Sequence, residues 1–92
     1  MKIGINLMPE APVSDLVVLA RIAEELGFAR VWVYDEGLAM RDVYVTMTAI
    51  AAATSKVHVG TGITNPYTRH PSTTAAAIAT LHEMTGGRAF LA

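Results

Sequence analysis

The sequence predicts an α/β protein in which four parallel strands alternate with three helices. Short apolar segments alternate with longer segments of helical periodicity, in the order β-α-β-α-β-α-β. The predicted strands begin about 27 residues apart, which leaves room for a helix in every connection. Strands joined through helices form right-handed crossovers and therefore a parallel sheet.

The first two strands flank an amphipathic helix. Residues 2–8, KIGINLM, form a short apolar segment that stops before Pro9, and residues 30–36, RVWVYDE, form a β-branched and aromatic strand. Ser14 or Asp15 is predicted to cap the helix between them, because a short side-chain oxygen accepts from free N–H groups of the first turn. Gly27 is predicted to end it. Its apolar stripe recurs every three or four residues: Leu16, Leu19, Ala23 and Leu26.

The second half repeats the pattern. Asp42 is predicted to cap a helix over residues 43–53, and residues 56–60, KVHVG, form the third strand. A third helix begins at Pro71 or Ser72 and is closed by a pair of glycines, Gly86 and Gly87. Residues 88–92, RAFLA, begin the fourth strand.

Two architectures suit this order of elements: an open doubly wound sheet and an eight-stranded barrel. A barrel takes about 250 residues, so a chain of 92 residues supplies less than half of one. The chain also stops within a predicted strand, where a domain boundary is not expected. We therefore expect residues 1–92 to be a single incomplete domain, truncated at Ala92.

Composition excludes several classes of function. Net charge is −1, which provides no electrostatic footprint for nucleic acid or an anionic membrane. The absence of cysteine excludes disulfides and thiolate chemistry. The N-terminus makes a poor signal peptide, so we expect a cytoplasmic protein. The three histidines lack the HxH and HxxxH spacings of metal ligands, and no metal site is expected.

Candidate site residues follow the predicted strands, because parallel α/β folds place their chemistry beyond the carboxyl ends of the strands. Asp35 and Glu36 end the second strand, and adjacent strand residues point to opposite faces. They are either a ligand-binding carboxylate with an acid or base beside it, or an exposed acidic turn. Gly60, Thr61 and Gly62 end the third strand, where glycine permits close approach of a flat ring or simply forms a turn.

The connection after the third strand carries unusually many polar groups. Asn65 to His70 read NPYTRH, and prolines at 66 and 71 stiffen both ends. Arg69 is suited to hold an anion. The alternative is that these side chains only tie down the start of the third helix.

Four segments resemble the luciferase-like family of flavin- and deazaflavin-dependent oxidoreductases. They are TGITNPYTRHP, AAAIATLHEMTGGRAFL, EELGFARVWVYDE and RDVYVTMTAIAAAT, and together they cover nearly the whole chain. The resemblance is greatest to the branch that includes methylenetetrahydromethanopterin reductase and other enzymes of the 5-deazaflavin coenzyme F-420. It implies the N-terminal part of a TIM-like (β/α)8 barrel.

The resemblance also implies roles for individual residues. A non-prolyl cis peptide at Gly62–Ile63 would support the back of the deazaflavin ring, with Thr64 and Asn65 beside it. Asp35 matches an Asp that contacts the deazaflavin, whereas Glu36 stands where many members have His. The implied reaction is hydride transfer between C5 of the deazaflavin and a carbon of a small-molecule substrate. The full-length parent is expected to be a homo-oligomer.

Two other functions remain open at this point. An FMN-dependent luciferase-like monooxygenase has the same fold, and FMN is the alternative cofactor. In the second alternative, the chain is an inactive half-barrel that acts only by assembly with a partner chain. Open edges at the first and fourth strands then predict that the isolated chain dimerises or aggregates.

Overall fold

The computed structural model describes residues 3–35, 40–62 and 69–92. The strands are β1 (Gly4–Leu7), β2 (Arg30–Val33), β3 (His58–Thr61) and β4 (Ala89–Phe90). The helices are α1 (Val13–Glu25), α2 (Val43–Ala53) and α3 (Pro71–Met84). The predicted order of elements is confirmed, although each strand is shorter than its apolar segment.

The strand order distinguishes between the two predicted architectures. The four strands form one parallel sheet in the order β1-β2-β3-β4, with Ile5 beside Val31 and Val31 beside Val59. A doubly wound sheet reverses its strand order at a switch point, whereas a barrel adds each strand beside the previous one. The sequential order of the described strands is therefore that of a barrel.

The core lies between one face of this sheet and the helices. Successive strand residues point to opposite faces, and Leu7, Val31, Val33 and Val59 are all buried at 5% exposure or less. They pack in one cluster with Leu16, Met47, Ile50 and Leu81 of the three helices. The helices therefore cover one face of the sheet, and the opposite, concave face carries the alternate residues. Among the described helices, none is long and apolar enough to cross a lipid bilayer.

Helix α1 departs from its sequence prediction in two ways. Its N-cap is Pro12, whose carbonyl accepts from Asp15 N at 2.9 Å, so neither Ser14 nor Asp15 caps it. Pro12 fits because its fixed φ of −54° enters the helix without strain, and Asp15 falls in the first turn, where the helix dipole favours an acid. The predicted apolar stripe is also partly wrong. Leu16 and Ala23 are buried, but Leu19 and Leu26 are 45% and 72% exposed, and Ala20 is buried instead.

The other predicted helix ends are confirmed. The Asp42 carboxylate accepts from Val45 N at 2.9 Å and caps α2. Gly27 has φ of +91° and ends α1, while the next amide, of Phe28, bonds back to the Ala23 carbonyl at 3.0 Å. Gly86 and Gly87 also have positive φ beyond the end of α3.

Two glycines of the concave face make room for aromatic rings of the chain itself. A Cβ on Gly4 would collide with the Trp32 ring, and a Cβ on Gly60 would lie 2.5 Å from the Phe90 carbonyl oxygen and still closer to the Phe90 ring. Trp32 and Phe90 in turn meet edge to face, with centroids 6.0 Å apart. The Phe90 ring of the protein itself therefore fills the space beside Gly60, whereas the sequence suggested that a bound flat ring approaches there.

The amino ends of the strands are held by hydrogen bonds of the side chains of Glu24 and Arg88. Glu24 Oε2 accepts from the backbone N–H groups of Ser55, Lys56 and Val57 at 3.0, 2.6 and 3.0 Å. Arg88 donates to several carbonyls around the end of α2, among them Ala51 O at 3.2 Å. These contacts fasten the connection between α2 and β3 on the side away from the carboxyl ends of the strands.

Candidate functional site

A cavity of about 280 Å³ opens on the concave face at the carboxyl ends of the strands. It is lined by Asn6, Trp32, Tyr34, Gly62 and Ala92. β1, β2 and β3 each contribute residues within one position of their last residue, so the cavity lies where a parallel barrel carries its chemistry. The sequence prediction that the site lies at these strand ends has a corresponding cavity in the structure.

The cavity has aromatic walls and a floor without a side chain. Trp32 and Tyr34 are two residues apart, so the alternation of the strand directs both to the concave face while Val31 and Val33 enter the core. A Cβ on Gly62 would lie 2.7 Å from Asn6 Oδ1 and 3.1 Å from Trp32 Cβ. Because no such atom is present, a flat ligand can approach the Gly62 backbone closely.

Among the predicted site residues that the structure describes, Gly62 alone lines this cavity. Asp35 is half-buried and follows β2 by two residues, next to the cavity residue Tyr34. Thr61 is fully buried on the core side of β3, where its hydroxyl donates to Ala92 O at 3.0 Å and accepts from Ala92 N at 2.9 Å. Gly60 lies under Phe90, as described above. The binding roles predicted for Asp35, Gly60, Thr61 and Gly62 stay predictions.

The remaining predicted site residues lie outside the described residues: Glu36, Ile63, Thr64 and Asn65. The proposed cis peptide at Gly62–Ile63 falls there too.

Side chains fix the starts of α2 and α3, which follow the connections after β2 and β3. Arg69 Nη2 donates to Asp42 Oδ1 at 2.9 Å, and its guanidinium stacks 4.3 Å from the centre of the Tyr44 ring. His70 Nδ1 accepts from Ser72 N at 3.1 Å and caps α3. The alternative interpretation of this segment, in which its side chains tie down the helix, is therefore confirmed for His70.

The charge state of Asp42 follows from these contacts. Partial burial acts to raise the pKa of the Asp42 carboxyl, but hydrogen bonds from Val45 N and Arg69, with the charge of Arg69, outweigh it. Its pKa consequently lies below the ordinary value. Asp42 is thus an anion at neutral pH, and it neutralises Arg69.

A larger cavity of about 550 Å³ lies at the opposite end of the sheet. It is lined by charged residues of both signs, including Glu24, Arg30, Lys56 and His58. The amino ends of barrel strands contribute to stability, whereas catalysis occurs at the carboxyl ends. His58 lies at this amino end, and we place no active site there.

Sequence reasoning assigned no role to Asn6, although it begins the first predicted strand end, and missed Trp32 and Tyr34 as cavity residues. The signal was present for the two aromatic residues, because the alternation in VWVY assigns valines to one face and rings to the other. Asn6 had a weaker signal, as a polar residue near the end of an otherwise apolar strand. Nothing local in the sequence indicates that Ala92 closes the cavity beside Gly62.

Comparison with known proteins identifies relatives over the whole chain. The profile of the luciferase-like monooxygenases matches residues 1–92. A 5,10-methylenetetrahydromethanopterin reductase from Methanolobus tindarius is 45% identical over 91 residues, which are 99% of this chain and 28% of that protein.

Two solved structures share the fold. The coenzyme F-420-dependent tetrahydromethanopterin reductase from Methanopyrus kandleri superposes with a TM-score of 0.93 at 40% identity, over 98% of this chain and 26% of that one. A monooxygenase from Streptomyces bottropensis gives a TM-score of 0.85 at 30% identity, over 99% of this chain and 32% of that one. The chain thus spans between a quarter and a third of the length of these proteins.

Proposed function

We propose, since the chain belongs to the luciferase-like monooxygenase family, that residues 1–92 form the N-terminal part of a coenzyme F-420-dependent oxidoreductase. The observation that carries the choice of coenzyme is the 45% identity to a 5,10-methylenetetrahydromethanopterin reductase across almost the entire chain. The same relationship favours a methylene-pterin as the substrate. The domain, on this proposal, is completed by strands that follow β4.

The cavity fits the ring of such a coenzyme. A deazaflavin is flat, and the Gly62 floor is a space that a Cβ would fill. Trp32 and Tyr34 supply apolar walls, and Asn6 supplies a carboxamide that donates and accepts hydrogen bonds at the same opening. Binding pockets typically combine such apolar walls with a few polar groups that fix orientation.

The bound coenzyme supplies two-electron chemistry, in which the reduced form gives a hydride from C5 to a substrate carbon and is itself oxidised. This part of the protein binds and orients the ring. Trp32 is held in place against Gly4 and Phe90, so it forms a rigid wall. Asp35 is proposed to accept a hydrogen bond from the ligand, and Glu36 to hold or release a proton near the reacting carbon.

An FMN-dependent monooxygenase is the second candidate, favoured by the TM-score of 0.85 to the Streptomyces monooxygenase. The two functions differ in the cofactor that binds. Binding is measured on the full-length protein, obtained by reading the coding frame beyond Ala92, through the quenching of F-420 and FMN fluorescence in parallel titrations.

The proposal expects tighter binding of F-420 and F-420-dependent reduction of methylenetetrahydromethanopterin. Preferential binding of FMN, with oxygen consumption in the presence of reduced FMN, would establish the monooxygenase instead. A stop codon directly after Ala92 would refute the larger barrel and leave a half-barrel that requires a partner chain.

A further inference from the structure

Residues at the start of α2 contact both neighbouring strand connections. Arg41 donates from its backbone N–H to Pro9 O at 3.1 Å and from its side chain to Glu10 O at 2.6 Å, which joins it to the connection between β1 and α1. Asp42 and Tyr44 hold Arg69, which belongs to the connection between β3 and α3. All three connections follow the carboxyl ends of strands, around the cavity floored by Gly62.

Arg69 is held by two different interactions at once. The Asp42 carboxylate also caps α2 through Val45 N, so its position is set by the helix. The Tyr44 ring, 9% exposed, belongs to the core cluster and offers a fixed face to the guanidinium. A planar guanidinium satisfies both partners together, whereas an ammonium group does not stack in this way.

These contacts engage one donor and one face of the Arg69 guanidinium. Its charge is matched by Asp42 at 2.9 Å, and one face of the guanidinium is covered by Tyr44. At 29% exposure, its side chain lies partly withdrawn from solvent. The anion-binding role considered from the sequence is therefore less consistent with the structure than a role in holding the chain.

We propose that Arg41, Asp42, Tyr44 and Arg69 form a rim clamp that fixes the three strand connections relative to one another and so positions the cavity. Arg69 is a positioning residue in this clamp. It acts on the ligand indirectly, by holding the chain directly before the N-cap of α3 against the start of α2. The identification of the ligand as F-420 rests on the proposed function, whereas the existence of the rim clamp does not depend on it.

The first test uses amide hydrogen exchange and requires no ligand. At the carboxyl ends of the strands, Gly62 N bonds to Val33 O at 2.7 Å and Tyr34 N to Leu7 O at 3.2 Å. At the amino ends, the reporter is His58 N, bonded to Ala29 O at 2.9 Å. Exchange is measured at these amides by NMR in the full-length protein and in its Arg69→Gln variant.

Arg69→Gln is expected to accelerate exchange at Gly62 and Tyr34 by roughly 3- to 10-fold, the range that a surface ion pair and an exposed cation–π contact provide together. Exchange at His58 is expected to stay unchanged. Asp42→Asn retains a capping side chain for α2 and should give a smaller acceleration at the same two amides. Arg21→Gln, an equal change of charge on the exposed part of α1, is the matched control.

Equal acceleration at all three amides would show general destabilisation and overturn the clamp, as would no acceleration at Gly62 and Tyr34.

The second test measures F-420 affinity. Arg69→Gln should weaken it by roughly 3- to 10-fold, and Arg69→Lys should restore only part of it, because the charge remains while the stacking is lost. If the unmodified protein fails to bind F-420, the proposed function fails, and the exchange experiment still decides whether the clamp exists.

Discussion

Gly62→Ala should weaken ligand binding while leaving the fold nearly intact. The added methyl group would lie 2.7 Å from Asn6 Oδ1 and 3.1 Å from Trp32 Cβ, and both of these residues line the cavity together with Gly62. Carbon atoms in contact need about 3.5–4.0 Å between them. A flat ring resting on the Gly62 backbone must therefore move away, and it loses its contact with the floor.

The cost of this substitution to folding is expected to be small. The new Cβ would lie 2.7 Å from Asn6 Oδ1, but Asn6 is exposed and its side chain can rotate away. The Trp32 Cβ at 3.1 Å must yield by a few tenths of an ångström. Gly62 is not among the described glycines with positive φ, so alanine adopts its backbone conformation without strain. We expect a loss of about 1 kcal/mol, the lower end for overpacking.

Ligand affinity should fall at least about tenfold, equivalent to about 1.4 kcal/mol. The assay is a fluorescence titration of F-420 with the full-length protein and its Gly62→Ala variant, together with thermal unfolding of both. Asn6→Ala added to Gly62→Ala should recover part of the stability, because it removes the 2.7 Å contact with Asn6 Oδ1 while the Trp32 Cβ contact remains. Unchanged affinity in the Gly62→Ala variant would refute the assignment of Gly62 as the surface on which the ring rests.

Four further outcomes are expected. Glu24→Gln should lower stability at neutral pH. In thermal unfolding at acidic pH, the difference in stability between the variant and the unmodified protein should vanish. Burial acts to raise the pKa of Glu24, but three backbone hydrogen bonds hold it below the ordinary 4.5, so its stabilisation is lost as pH falls through that lower value. Gly60→Ala should cost about 1–3 kcal/mol in denaturant unfolding, and adding Phe90→Ala should not restore it fully, because the carbonyl oxygen at 2.5 Å remains. Thr61→Val should lower the free energy of unfolding by about 1–2 kcal/mol without changing F-420 affinity. A loss of F-420 affinity of the same size would instead support the predicted binding role. Asp35→Asn should weaken F-420 binding roughly tenfold with little change in melting temperature, and unaltered binding would remove Asp35 from the site.

The order of elements was predictable because each boundary has a local physical cause. Asp42 provides a capping oxygen for α2, and Gly27 adopts the positive φ that ends α1. The start of α1 was mispredicted because two acceptable capping residues follow Pro12, and only the three-dimensional structure shows that the proline carbonyl begins the helix. The choice between an open sheet and a barrel required the strand order, which no local pattern contains.

The position of the candidate site was predictable, but its lining residues were only partly so. The carboxyl ends of parallel strands follow from the element order, which directed attention to Asp35 and Gly62. The structure adds Asn6 and Tyr34, whose proximity depends on the register of β1 with β2. The partnership of Arg69 with Asp42 spans 27 residues and has no signature in the sequence.

The three glycines of the concave face show why residue type alone cannot locate a ligand. Gly4, Gly60 and Gly62 all leave space beside the backbone, yet Trp32 fills the first space and Phe90 the second. Both rings belong to the chain, and together they close the concave face below the strand ends. Of these three glycines, Gly62 lines the cavity, and the atoms nearest to an added Cβ there are Asn6 Oδ1 at 2.7 Å and Trp32 Cβ at 3.1 Å. The same substitution, glycine to alanine, should therefore damage the fold at Gly60 and binding at Gly62.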